Sequence, residues 1–120
     1  MKTENTMNYI KKYRNQKTVI NNISFDSKKE AHRYGELLLL EKAKAISNLQ
    51  RQVKFELLPA QKIGRSIAER AVNYYADFTY NLPDGTLVVE DTKSTATRTK
   101  EYIIKRKLML YIHGISIKEV

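Results

Sequence analysis

Along the chain the apolar positions change their spacing several times, and each change marks an element. "KTVINNISF" sets short β-branched runs on either side of Asn21 and Asn22, a pair that tolerates the positive φ of a tight turn, and predicts a small N-terminal hairpin. "SKKE" at 27–30 has the form of a helix capping box: the Ser27 hydroxyl is available to an orphan N–H, and Glu30 can reach back. Ala31, Tyr34, Leu38, Ala45 and Leu49 then fall near one another on a 3.6-residue wheel, which predicts a long helix ending near Ile46. Leu37, Leu39 and Leu40 widen this stripe, so the helix needs cover on more than one side. The hairpin of the same chain and a second copy in a homodimer are both able to provide it.

"QVKFELL" alternates Val53, Phe55 and Leu57 with Gln52, Lys54 and Glu56, the period of a half-buried strand, and Pro59 stops it. Residues 60–70 read as loop. "AVNYYADFTY" and "GTLVVEDTK" flank the turn formers of "NLPDG" and predict a second hairpin. With Pro83, Asp84 and Gly85 as its loop, Leu82 faces Thr86 and Asp77 lies opposite Asp91. A polar link, "STATRT", leads to a last helix with Ile104, Leu108, Tyr111 and Ile112 as its apolar stripe and Gly114 as its stop, and "ISIKEV" closes as a short strand. The order of the main body, helix-strand-strand-strand-helix-strand, predicts an α/β fold with a central mixed sheet of about four strands flanked by helices.

Length and charge sharpen this picture. The chain has 120 residues, enough for one domain with one core, which we place over residues 17–120. Its conspicuous apolar run, Leu37 to Leu40, is far shorter than the ~20 residues that span a bilayer, and the first residues lack the apolar stretch of a secretory signal, so a cytoplasmic protein without a membrane partner is expected. With no cysteine, disulfides, zinc-thiolate sites and thiol catalysis are excluded. The 22 Lys and Arg against 13 Asp and Glu leave a net charge of +9, which suits a polyanion, with DNA as the leading partner. Residues 1–16 read as a mobile basic arm carrying Lys11, Lys12 and Arg14.

The chemistry concentrates at the end of the second hairpin. Strand alternation puts Val89, Asp91 and Lys93 on one side and Val88, Glu90 and Thr92 on the other. With Asp77 alongside, two carboxylates and an ammonium converge, an arrangement suited to a hard divalent cation. Glu90 faces away, as a solvated or helix-facing charge. His32 and His113, with no third histidine and no cysteine, read as helix-surface or cap residues, and Tyr74, Tyr75 and Tyr80 as packing.

"YADF", with Asp77, followed across a hairpin by "EDTK", with Asp91 and Lys93, resembles the PD-(D/E)XK nuclease superfamily, although Ala76 stands where the motif name has proline. The succession "FDSKKEAHRYGEL", "NLQRQVKFEL", "YYADFTY" and "VVEDTKS" resembles, more narrowly, a small phage-encoded family of that superfamily, related by fold to junction-resolving endonucleases. The resemblance implies a restriction-endonuclease-like core and a Mg²⁺- or Mn²⁺-dependent endonuclease hydrolysing DNA phosphodiesters, with branched or recombination DNA among the substrates. It implies Asp77 and Asp91 as metal ligands, Lys93 as the catalytic cation and Glu30 as a third ligand; Glu30 also retains its reading as a helix cap. Arg98, Lys100, Lys105, Arg106 and Lys107 follow the site and suit a phosphate track, although Glu101 and Lys105 also form an ordinary i, i+4 pair. A nucleic-acid-binding module without catalysis, and a ribonuclease, are the alternatives.

Overall fold

The computed structural model describes residues 18–20, 23–64, 67–94 and 96–120. The expected basic arm, with Lys11, Lys12 and Arg14, lies outside them. Strands β1 (Thr18–Ile20) and β2 (Ile23–Phe25) pair antiparallel as the N-terminal hairpin. Helix α1 (Lys28–Lys42) follows, with the Ser27 hydroxyl accepting from the Glu30 N–H at 3.1 Å. It ends four residues before the expected Ile46, because the chain leaves helical geometry at Lys44, φ 64°. Residues 43–46 make the turn, and strand β3 (Ser47–Leu58) begins five residues before Gln52 and stops at Pro59 as expected.

Residues 60–70 are not simply loop. They carry a small antiparallel hairpin, β4 (Gln61–Ile63) with β5 (Ile67–Glu69). Its first strand is exposed throughout, so it has no buried face to impose the alternation by which a strand is recognised. Strands β6 (Val72–Asn81) and β7 (Leu87–Asp91) form the second hairpin in the expected register, with Tyr80 opposite Val88 and Phe78 opposite Glu90. Leu82 N–H donates to the Thr86 carbonyl at 2.9 Å, and Gly85 supplies the positive φ, 91°, that closes the turn.

Helix α2 (Lys100–Leu108) runs directly into a π-helical turn over Met109–His113, and Gly114, φ 69°, ends it. A short last strand, β8 (Lys118–Glu119), adds parallel to β7. The central sheet is therefore mixed, in the order β3-β6-β7-β8, and the helix-strand-strand-strand-helix-strand succession holds once the small β4/β5 hairpin is set aside. No helix among the described residues is long and apolar enough to cross a membrane.

Two clusters fill the core. Phe25, Ala31, Tyr34, Leu37, Phe78 and Tyr80 join α1 and the first hairpin to the sheet, and Leu57, Tyr74, Ala76, Val89, Tyr102 and Met109 join α2 to it. Of the leucines that widened the α1 stripe, Leu37 is fully buried, whereas Leu39 is 69% exposed. In the last helix the expected stripe is turned to solvent at three of its four positions: Ile104, Tyr111 and Ile112 are exposed, and Tyr102 and Met109 point inward instead. The π-helical turn takes Tyr111 and Ile112 off the 3.6-residue period on which the wheel depends, whereas Ile104 precedes it, in the regular helix whose inward position is Tyr102.

Candidate functional site

The site lies where the sheet changes its facing. The β3/β6 ladder passes from Arg51↔Phe78 to Val53↔Ala76, and between these pairs Gln52 adopts φ 48°. Around this step both strands turn over. Leu49 packs with the α1 cluster but Phe55 and Leu57 with the α2 cluster; on β6, Phe78 and Tyr80 belong to the first and Tyr74 and Ala76 to the second. Strict alternation would keep residues of one parity on one face, so the irregularity is what lets Asp77, between Ala76 and Phe78, escape the core.

Asp77 is held from three directions. Its Oδ2 accepts from the Thr92 N–H at 2.8 Å and the Thr92 hydroxyl at 2.7 Å. Its Oδ1 lies 3.4 Å from Gln52 Nε2, which is equally 3.4 Å from Glu30 Oε2, so one amide ties the two acids together. Thr92 thus corrects the sequence reading, which set it on the opposite face from Asp91. Strand β7 ends at Asp91, and past that point alternation no longer governs the side chain.

Asp91 is buried beside it, accepting from the Tyr74 hydroxyl at 2.7 Å through Oδ2, with Lys93 Nζ 3.3 Å from Oδ1. The neighbouring placement of Asp91 and Lys93 is as expected. Burial, together with a hydrogen bond to Asp77 and the charge of that acid, pushes the Asp91 carboxyl up to about 7. Burial and then the Asp77 charge likewise raise Glu30 to about 7, with Arg51 opposing in part. Glu30 sits with its carboxylate 3.9 Å from the Arg51 guanidinium, while its backbone N–H is the one that Ser27 caps. The helix-cap and site readings of this residue are therefore compatible: the backbone serves the cap and the carboxylate faces the site.

These groups open onto a cleft of about 320 Å³ lined by Tyr74, Asp77, Asp91, Lys93, Tyr102 and Lys105. Among the described residues no group of three or more His, Cys, Asp or Glu is arranged to hold a metal ion. The donors fit a hard cation nonetheless: two carboxylates on adjoining strands, one of which resists ionising through its burial and then through the other, are relieved by a positive charge between them. Mg²⁺ is commonly held by one or two carboxylates and keeps several waters.

Glu90 faces α1, as one of its two sequence readings had it. It is fully buried against Arg33, whose Nε and Nη2 donate to its two oxygens at 2.8 and 2.6 Å, and it also accepts from the Tyr80 hydroxyl. Burial alone would raise Glu90, but these hydrogen bonds outweigh it and hold the carboxyl below its usual range. His113 lies exposed, its Nε2 2.8 Å from the Glu56 carbonyl, and His32 sits beside Glu36 on the helix surface. Of the basic track, Arg98 is bound to Glu119 at 2.8 Å and Lys105 to Glu101 at 3.2 Å, whereas Lys100 and Lys107 are exposed. Sequence reasoning missed Gln52, Thr92 and Tyr102 and left Tyr74 as packing. Only Thr92 carried a signal, its place between Asp91 and Lys93.

A family model described as "Protein of unknown function (DUF1064)" matches residues 10–116. No curated protein and no solved structure matches the chain.

Proposed function

The chain belongs to the DUF1064 family of unknown function, and from the site itself we propose that it is a Mg²⁺- or Mn²⁺-dependent endonuclease hydrolysing DNA phosphodiesters. The observation that carries this reading is the pairing of Asp77 with Asp91, whose carboxyl is raised first by its burial and then by Asp77, with the Lys93 ammonium 3.3 Å away. Ionising Asp91 in this buried place costs stability, and a structural role gives no return for that cost. A divalent cation there would polarise a phosphate and acidify a bound water.

Asp77 and Asp91 are the residues to hold it, with Glu30 linked to Asp77 through the Gln52 amide. Thr92 fixes the Asp77 carboxylate and the Tyr74 hydroxyl fixes that of Asp91, so neither must reorganise during reaction. Lys93 stands where it can orient a water or meet negative charge developing on the phosphate. The excess of basic residues draws the polyanion in, with Lys105 on the cleft wall. One site cuts one strand, so two-strand cleavage needs a second copy, for which the exposed Leu39 and Leu40 on α1 offer apolar surface.

The test is incubation of the purified protein with plasmid, linear, single-stranded and four-way-junction DNA, with and without Mg²⁺ or Mn²⁺. We expect ion-dependent cleavage, reduced at least on the order of a hundredfold by Asp77→Asn, Asp91→Asn or Lys93→Ala in proteins that still bind DNA. Binding without cleavage in every ion would replace this reading with that of a non-catalytic nucleic-acid-binding module. A Lys93→Ala protein cutting at the wild-type rate would remove the role given to that lysine.

A further inference from the structure

The ammonium of Lys93 has two neighbours of different kinds. One is Asp91 Oδ1 at 3.3 Å. The other is the face of the Tyr102 ring, with Nζ 4.2 Å from its centroid, inside the distance at which the ring quadrupole attracts a cation. We propose that Tyr102 is a positioning residue for Lys93, seating its ammonium at the cleft by the ring face when the Asp91 carboxylate is drawn to a divalent cation. This rests on the nuclease reading for its consequence, though not for its geometry. Asp91 cannot give its full charge to both an ion and a lysine, whereas the neutral ring does not compete for either.

The ring is built to stay in place. Thr99 caps α2 by accepting from the Tyr102 N–H at 3.1 Å, which fixes the backbone from which the side chain projects. Its hydroxyl donates to Glu119 Oε2 at 2.7 Å, and the same carboxylate receives Arg106 at 2.9 Å and Arg98 at 2.8 Å. These donors hold the Glu119 carboxyl down at about 2. Glu119 in turn lies on β8 directly beside Asp91 on β7, and the backbone is locked there: Val120 N–H donates to the Asp91 carbonyl and Lys93 N–H to the Val120 carbonyl, both at 3.0 Å. The strand that borders Asp91 therefore also anchors the ring under Lys93. This gives Arg98 and Arg106 a role distinct from the phosphate track in which the sequence had placed them both.

Core packing alone would also bury Tyr102, so the test separates the ring face from apolar bulk. Lysines of the whole protein are reductively methylated with a ¹³C label, and the Lys93 signal is assigned by its absence in Lys93→Ala. An ammonium over an aromatic face has its methyl resonances displaced upfield. We expect that displacement in the wild type, its persistence when Mg²⁺ is added, its retention in Tyr102→Phe and its loss in Tyr102→Leu. Single-turnover cleavage by the unmodified proteins should fall on the order of tenfold in Tyr102→Leu and by less than about threefold in Tyr102→Phe, consistent with a cation–π contact in a partly desolvated site. A Lys93 signal among those of the other lysines, with or without Mg²⁺, overturns the proposal, as does wild-type cleavage by Tyr102→Leu. If no form of the protein cleaves DNA, the nuclease reading falls and the resonance alone decides whether Tyr102 seats the ammonium.

Discussion

Replacing Asp91 with asparagine should make the protein more stable and inactive together. The folded state raises the Asp91 carboxyl from 3.8 to about 7, so its contribution is fully present below about pH 4 and is lost as pH rises through 7. Ionising it in the fold costs up to about 4 kcal/mol, at about 1.4 kcal/mol for each tenfold change in proton affinity. With Asp91 coupled to the neighbouring Asp77 charge, a figure of about 2–4 kcal/mol is the appropriate one for this residue alone. The amide of Asp91→Asn keeps an oxygen for the Tyr74 hydroxyl and carries no charge to repel Asp77. In this variant the gain in Tm over wild type should be near zero at about pH 4, grow to roughly 8–16 °C by about pH 8, and level off above. Circular-dichroism melts across that range, in chelator and then in excess Mg²⁺, measure it. Mg²⁺ should raise the wild-type Tm at the high end and leave the variant unmoved, because ligand that binds only the native site stabilises by mass action. A variant that melts no higher than wild type near pH 8, or whose difference from wild type is independent of pH, would refute the reasoning.

Arg33→Ala should destabilise by about 3–5 kcal/mol in urea titrations, since it strands the fully buried Glu90, and adding Glu90→Gln should restore part of that loss. Binding to duplex DNA by a cleavage-defective form should fall with salt along a log–log slope of roughly −3 to −6; deleting residues 1–16 should flatten it, and Lys100→Ala or Lys107→Ala should each flatten it by about 1 if that side chain meets a phosphate. An affinity insensitive to salt would disconnect the +9 charge from nucleic-acid binding.

Elements whose reasons are local were readable from the residues alone. Ser27 caps α1, Pro59 stops β3, and Gly85 closes a turn whose register puts the acids of β6 and β7 side by side, all from interactions spanning a few residues. Asp77 and Asp91 were legible as neighbours for the same reason, since the hairpin register is enough to bring them together, and Lys93 follows two residues on. Tertiary structure decided what surrounds them. Gln52 reaches both Glu30 and Asp77 only because β3 turns over at that residue, and no pattern in "NLQRQVKFEL" marks the turn. The last helix shows the limit most plainly. Its apolar residues fit an ideal wheel, yet a π-helical turn breaks the period and Tyr102, bonded to Glu119, faces inward while Ile104 faces solvent. A hydrogen bond from the helix to a strand 17 residues further along is invisible to any local period, and so is the approach of the Tyr102 ring to Lys93.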